Sequence, residues 1–421
     1  MILNIQTDRS LIRAAGRSTR YVLLSFEVPE SANAAARPAI DFSFVIDRSG
    51  SMGGRKIDLA RKAVIQALRM LRPSDRFSIV IYDQEVDVLV PSTPASAEAL
   101  RNAATQVERV QARGSTNLGG GWLTGCEELA GHAQPGRIAR CLLLSDGLAN
   151  HGITDRAELA RHSEELRARG ITTSTIGLGA DFDERLLEGM SRAGGGHFYF
   201  VEAPVQIADC LTGEVGETLE VVARDVAVVA HASQGVAVAT LNSFRVQQED
   251  AGRTRVLLGD LSSRQEVSLV LRVTFPEGRE GETATVVFEV SDAGGAIAAP
   301  RADVIWTFAS HQANDAQPRN VVVDRAVADV YAALASAEAL NLNREGDFDF
   351  AIARLEATAR RIEEYAGSDP ELRAIVASLR GRHRVYSRPM AAMMRQSEHY
   401  DSRNRVTMRD ASGKARQRPN S

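Results

Sequence analysis

The chain has 421 residues, 44% of them hydrophobic and 25% charged, with a formal net charge of −4. These values describe a globular protein of two or three folding units and exclude a disordered chain; no apolar run approaches the ~20 residues of a membrane helix. Cys126, Cys141 and Cys210 form no CxxC pair or disulfide framework, and the start "MILNIQTDRSLIRAAGRS" has no apolar core of signal-peptide length, so a reducing, cytoplasmic location is expected.

In chain order, "MILNIQTD" and "TRYVLLSFEVP" within residues 1–36 read as two strands, too few to be stable alone. Over 37–222, short apolar runs alternate with amphipathic helical stretches. The runs are "DFSFVID", "RFSIVIYD", "EVDVLV", "RCLLLSD", "TTSTIGLG" and "HFYFVEA"; the helical stretches include "RKIDLARKAVIQALRML" and "RAELARHSEELRARG". Runs apolar on both faces need helices on both sides, which predicts an α/β unit with a doubly wound, mostly parallel, six-stranded sheet. "EVDVLV" follows "IVIYDQ" closely enough to form an antiparallel hairpin at the sheet edge.

Residues 223–310 hold further strand-like runs separated by turns, with no helical period, and predict a β-sandwich. The two N-terminal strands are expected to complete it, so that the α/β unit is inserted in a β domain. Residues 318–386 are helical in pattern. Residues 387–421 lose periodicity and are expected to be a disordered basic tail; residues 382–421 carry ten Arg and Lys against three Asp and Glu. Lysine occurs only at Lys56, Lys62 and Lys414, the mark of a GC-rich, bacterial coding sequence.

The stretch "IDRSGSMGG" leaves the first strand of the α/β unit with Asp47, Ser49 and Ser51 on alternate positions. Taken alone it is a turn, a phosphate cradle or a metal site. Ligands of an open α/β sheet gather beyond the carboxyl ends of its strands. There "GSTNLGGG" supplies Thr116 and "LLLSDG" supplies Asp146, while Asp47 is expected in a solvent-facing loop. Five oxygen donors with no His or Cys favour Mg²⁺ or Mn²⁺ over zinc, with Ca²⁺ as a further hard-cation candidate.

These residues resemble the von Willebrand factor type A family, whose Asp-x-Ser-x-Ser, distant Thr and distant Asp form a metal-ion-dependent adhesion site. "DRSGS", Thr116 and Asp146 match it without substitution. The resemblance implies that Ser49, Ser51 and Thr116 coordinate the ion through hydroxyls, and that Asp47 and Asp146 act directly or through water. The inserted arrangement and "GGGHFYFVEAPVQIAD" are similar to bacterial members related to inter-alpha-trypsin inhibitor heavy chains and calcium-activated chloride-channel-like proteins, without implying a channel.

The expected function is a metal-dependent protein-binding scaffold, not an enzyme, whose ion takes an Asp or Glu of a partner protein as a ligand. The alternatives are a Mg²⁺-dependent phosphohydrolase and an accessory subunit of an AAA+ ATPase; a kinase or phosphatase is a further candidate associate. "GSMGGRKID" lacks a Walker spacing, and Ser49 stands where a haloacid-dehalogenase-type phosphotransferase has its second Asp. No nucleic-acid partner is expected, since the basic tail has no interleaved aromatics. Asp83 is read as closing a turn, His132 and His197 as having no ligand role, and Trp122 and Trp306 as core or interface. Met390, Met393 and Met394 belong to the expected disorder, with a short docking helix as the alternative, and Thr407, among Arg403, Arg405 and Arg409, is a candidate phosphorylation site.

Overall fold

The computed structural model describes residues 2–30, 38–134, 136–249, 252–295, 297 and 301–417. The chain opens with strands β1 (Ile2–Thr7), β2 (Leu11–Arg13) and β3 (Ser18–Glu27). An α/β unit follows: β4 (Ile40–Asp47), α1 (Arg55–Leu68), β5 (Arg76–Tyr82), β6 (Val86–Pro94), α2 (Ala97–Val107), α3 (Leu118–Ala130), β7 (Ile138–Ser145), α4 (Arg156–Ala168), β8 (Ile171–Leu178), α5 (Glu184–Ala193), β9 (Gly195–Val201) and α6 (Ile207–Leu219). Its sheet runs β6-β5-β4-β7-β8-β9, parallel except for the antiparallel edge strand β6. All eight residues of β4 and of β7 are buried, because helices cover both faces of these central strands, whereas in β6 at the edge Val90 is buried and the other residues are half-buried or exposed.

Helix α3 lies close to this sheet because its sequence, "LGGGWLTGCEELA", sets Gly121 and Gly125 on the buried side, between Leu118, Trp122 and Leu129. A Cβ on Gly121 would fall 2.5 Å from the Tyr82 ring, and one on Gly125 would fall 2.3 Å from Val45. Close packing of α3 brings its N-terminal loop, with Thr116 and Asn117, down to the ends of β4 and β7.

The chain then forms β10 (Val221–Ala232), β11 (Ala237–Thr240), β12 (Arg245–Glu249), β13 (Arg253–Ser262), β14 (Glu266–Phe275), β15 (Thr283–Ser291) and β16 (Arg301–Ala309). These strands join the N-terminal ones in two sheets, β1-β3-β14-β11 and β12-β13-β10-β15-β16-β2. β3 pairs with β14 along ten residues, from Ser18 opposite Phe275 to Glu27 opposite Glu266, and the two sheets share an apolar core that includes Leu24, Phe26, Val228, Leu271, Phe288 and the fully buried Trp306. The N-terminal segment contributes a third, three-residue strand, β2, too short to show in the sequence pattern. Residues 31–37 of that segment lie outside the described residues.

Helices α7 (His311–Ala316), α8 (Val321–Glu345), α9 (Phe348–Ala366), α10 (Pro370–Gly381) and α11 (His383–Tyr386) follow. α8, α9 and α10 pack around an alanine-rich core with Leu355, Ile362, Leu372 and Tyr386. The other side of α8 seats Val323, Val327 and Val330 against Leu23 and Val270 of the four-stranded sheet.

The expectation of a disordered basic tail over 387–421 is corrected. Residues 392–406 form helix α12 (Ala392–Val406), which lies against α8 and β9. Tyr400 meets Phe198 edge-on with ring centroids 5.8 Å apart, and Gln396 Nε2 donates to the Ala180 carbonyl at 3.0 Å. Met390 is buried in the helical core and Met393 packs beside the α/β unit, while Met394 is exposed. The helix is polar all round, so sequence periodicity misses it; its basic side chains find carboxylates on the acidic body instead of water. Arg403 pairs with Glu188 and Arg405 with Asp329, and just beyond the helix Arg409 pairs with Glu217. Residues 418–421 lie outside the described residues.

Candidate metal centre

The carboxyl ends of β4 and β7 present Asp47 and Asp146, both fully buried. Asp47 therefore does not face solvent as the sequence suggested. Its Oδ1 accepts the Ser49 amide at 2.8 Å and its Oδ2 accepts the Ser145 hydroxyl at 2.8 Å. The backbone then makes a single 3-10 turn over Gly50–Met52, anchored by buried Met52, before α1. Within that turn the Ser49 and Ser51 hydroxyls are 3.1 Å apart, and Ser51 Oγ donates to Asp146 Oδ1 at 2.7 Å. Thr116 comes from the loop before α3. A Cβ built on Gly147 would lie 3.6 Å from both Thr116 Oγ1 and Ser51 Oγ, so the bare glycine leaves these hydroxyls facing a common space. All five sequence-predicted residues are thus brought to one loop edge.

Backbone hydrogen bonds hold the three loops in register. Gly50 donates to the Gly114 carbonyl at 3.0 Å and Arg113 to the Arg48 carbonyl at 2.7 Å. Thr116 N donates to Asn150 Oδ1 at 2.9 Å, and the Asn150 and His151 amides donate back to the Thr116 carbonyl at 3.2 Å. Below them sits Asp83. Its Oδ1 accepts the Glu85 amide at 2.7 Å, the turn expected from the sequence, but its Oδ2 also lies between Arg48 Nε at 2.9 Å and Arg113 Nε at 2.7 Å. Against the cost of burial, the Glu85 amide and these two guanidiniums hold the Asp83 carboxyl below the usual carboxylate range. Asp83 is a brace between the first two loops, a role that sequence reasoning missed. So are Arg48, which sits inside "DRSGS", and Asn150.

Lys56, at the start of α1, was also missed. Its Nζ lies 2.5 Å from Asp146 Oδ2. Burial pushes the Asp47 carboxyl up to about 6, with the charge of Asp146 acting in the same direction, against the hydrogen bonds from Ser49 and Ser145. Two buried carboxylates and one ammonium leave the edge short of positive charge. The donors are hard oxygens, two anionic and three hydroxylic, and Lys56 already stands on one carboxylate as a cation. That chemistry fits a divalent hard cation.

His197, Glu214 and Glu217 form a second cluster of ligand-type side chains, with one ligand atom of each within 4.8 Å of the others. Its carboxylates are already engaged. Glu214 accepts from Arg140 at 2.7 Å, Ser174 at 2.6 Å, Tyr199 at 2.6 Å and His197 Nδ1 at 2.8 Å, and Glu217 is taken by Arg409 and the Ala415 amide. Burial alone would raise the Glu214 carboxyl, but His197, Arg140 and Arg409 together hold it well below its usual range. His197 is therefore one member of a saturated ion-pair network.

Residues 41–212 match the von Willebrand factor type A domain. The protein YfbK of Escherichia coli is 30% identical over 191 residues, 45% of this chain and 33% of YfbK. Human inter-alpha-trypsin inhibitor heavy chain H4 is 28% identical over 202 residues, 47% of this chain and 21% of its own length. The chain thus spans a third or less of these two relatives. Among solved structures, a von Willebrand factor type A protein from Catenulispora acidiphila superposes with a TM-score of 0.72 at 20% identity, covering 99% of this chain and 97% of the other. The ArnB paralog VWA2 from Sulfolobus acidocaldarius superposes with a TM-score of 0.57 at 16% identity, covering 92% and 98%. These two share the fold across almost the whole chain.

Proposed function

With a von Willebrand factor type A domain over residues 41–212, we propose that this chain is a metal-dependent protein-binding scaffold. Domains of this type typically mediate protein–protein contacts, and some members carry a divalent metal at an adhesion site. In this reading Ser49, Ser51 and Thr116 bind Mg²⁺ or Mn²⁺ through their hydroxyls, and Asp47 and Asp146 bind it directly or through water. A bound ion would supply positive charge that a carboxylate of the partner protein can ligate. The single observation behind the proposal is the convergence of Asp47 and Asp146, both fully buried, with the Ser49–Ser51 hydroxyl pair and, among the described residues, one paired cation, Lys56 on Asp146.

This chain's residues do three things there. Asp47 orients the first loop through the Ser49 amide, and Ser145 fixes the Asp47 carboxylate from behind. Asp83, Arg48 and Arg113 hold the Thr116 loop at the right height. Hydroxyl ligands leave much of the ion's charge unneutralised, which favours an anionic ligand from outside and suits capture rather than turnover. No hydrolysis of phosphate esters is expected with Mg²⁺ or Mn²⁺.

Because both carboxylates are buried, the test uses the isosteric change Asp146→Asn. Calorimetric titration with Mg²⁺ should show one site in the wild type. In the variant that site should weaken about ten- to a hundredfold, the worth of one charge-assisted interaction. Equal binding by both proteins would remove the proposal; phosphate-ester turnover that Asp146→Asn abolishes would favour the phosphohydrolase reading instead.

A further inference from the structure

A cavity of about 120 Å³ lies between the α/β unit, the two-sheet unit and the C-terminal helix, lined by Arg140, Arg167, Arg192, Arg245, Arg403 and Arg409. It is remote from the candidate metal centre. Arg140 lies near the start of β7 and Asp146 just past its end, roughly 20 Å apart at the rise of a β-strand. Four of the six arginines have carboxylate partners: Arg140 pairs with Glu214 and Asp260, Arg245 with Glu164, Arg403 with Glu188 and Arg409 with Glu217. Arg167 and Arg192 make no side-chain hydrogen bond or ion pair among the described residues, and Asp260 is the sole carboxylate in the lining.

The buried arginines also have unused donors. Arg140, 2% exposed, has no hydrogen-bond partner for its Nε; Arg403, 7% exposed, faces Glu188 across 3.0 Å from its Nε without hydrogen-bonding geometry. Gly195, at φ +72°, lets Arg167 lie across the start of β9; a Cβ there would fall 2.7 Å from Arg167 Nε. Desolvation lowers the pKa of Arg167, with Arg245 acting in the same direction and Asp225, Asp260 and Glu164 only partly offsetting it; desolvation likewise lowers that of Arg403, next to Arg409, against the pull of Glu188. Carboxylates outweigh burial at Arg140 and Arg409, whose pKa values are raised, so the under-compensated charge of the cavity lies on Arg167 and Arg403, with Arg192 beside them unpaired among the described residues. An unpaired buried charge is costly, and an anion with several acceptor oxygens relieves it. Guanidinium forks match the oxygens of a phosphate in pairs, which a point-like ammonium does not.

We propose that this arginine-lined cavity binds a small tetrahedral dianion of the phosphate class, held jointly by the α/β unit, the two-sheet unit and the C-terminal segment. Bound there, the anion ties the C-terminal helix to the body. The Thr407 hydroxyl, which also lines the cavity, donates to the Arg403 carbonyl at 2.9 Å and takes no part in the charge balance.

The test titrates inorganic phosphate into the full-length protein in EDTA, so that no metal contributes, against KCl at equal ionic strength. Wild type should release or absorb heat on binding and melt at higher temperature in phosphate than in KCl. Arg167→Gln, which breaks no ion pair, should weaken phosphate binding about tenfold. Arg192→Gln, at an exposed position, should weaken it in the same direction, and Arg101→Gln, an exposed change far from the lining, should leave it unaltered. The proposal fails if phosphate does no more than KCl, or if Arg167→Gln and Arg192→Gln both bind phosphate as the wild type does.

Discussion

Arg409 offers a sharp test of how the C-terminal segment is held. It is 5% exposed, and its Nη2 reaches Glu217 at 2.7 and 3.0 Å and the Tyr199 hydroxyl at 3.1 Å, while Nε donates to the Gly413 carbonyl. Arg409→Met removes the cation and leaves the Glu217 carboxylate 13% exposed, with the Ala415 amide as its remaining partner. Breaking one side of such a pair costs about 3–5 kcal/mol, most of it the stranded charge. For a unit of 150–250 residues that corresponds to a melting temperature lower by roughly 6–20 °C. The second change, Glu217→Met, removes the stranded carboxylate, so the double variant should recover most of the loss. The assay is scanning calorimetry in phosphate-free buffer on wild type, both single variants and the double variant. If Arg409→Met melts within about 2 °C of wild type, or if the two single losses simply add, the C-terminal segment is not held by this pair.

The companion ion pairs give a pH dependence with a defined sign. Burial would raise the Glu188 carboxyl, but His399 and Arg403 bring it from its usual 4.5 down to about 2, so its stabilisation is present above pH 4.5 and lost as pH falls toward 2. The stability gap between wild type and Glu188→Gln, on the order of 3 kcal/mol at neutral pH, should close across that window in urea titrations; a gap independent of pH would contradict it. Deleting residues 1–30 removes β1, β2 and β3, which leaves β14 with β11 alone in the four-stranded sheet and takes from β16 its parallel edge partner. The truncated protein should lose the calorimetric transition of the two-sheet unit, and an unchanged thermogram would show that this pairing is dispensable. Lys56 Nζ, 2.5 Å from Asp146 Oδ2, competes with a bound cation. Lys56→Met should therefore tighten Mg²⁺ binding about tenfold by calorimetry, and weaker binding would mean that Lys56 helps to build the site.

The candidate site was legible because its signals are local. Asp47, Ser49 and Ser51 fall within five residues after an apolar strand, and Thr116 and Asp146 fall at equivalent positions in later loops, so strand topology alone predicts that they meet. The brace around Asp83 was not legible, since Arg48 and Arg113 are 65 residues apart and their shared partner depends on how α3 packs. Helix α12 was missed for a related reason. Gln396, Arg403 and Arg409 are buried by polar contacts with Ala180, Glu188 and Glu217, more than 190 residues earlier in the chain. A hydrophobic pattern does not record a helix held by ion pairs. The complementary charge did leave a trace: a surplus of Arg at the C-terminus against an acidic remainder, read as a solvated tail when it was a docking surface. The arginine-lined cavity was hidden for the same reason, since its six arginines come from three units and share no sequence spacing.

Whether a divalent ion sits among Asp47, Ser49, Ser51, Thr116 and Asp146 is best settled by anomalous diffraction from crystals grown with Mn²⁺. We expect a single strong peak among these five residues, close to the Ser49 and Ser51 hydroxyls, that disappears in Asp146→Asn. No peak there, or a peak at His197, Glu214 and Glu217 instead, would contradict a metal-dependent adhesion site in this chain.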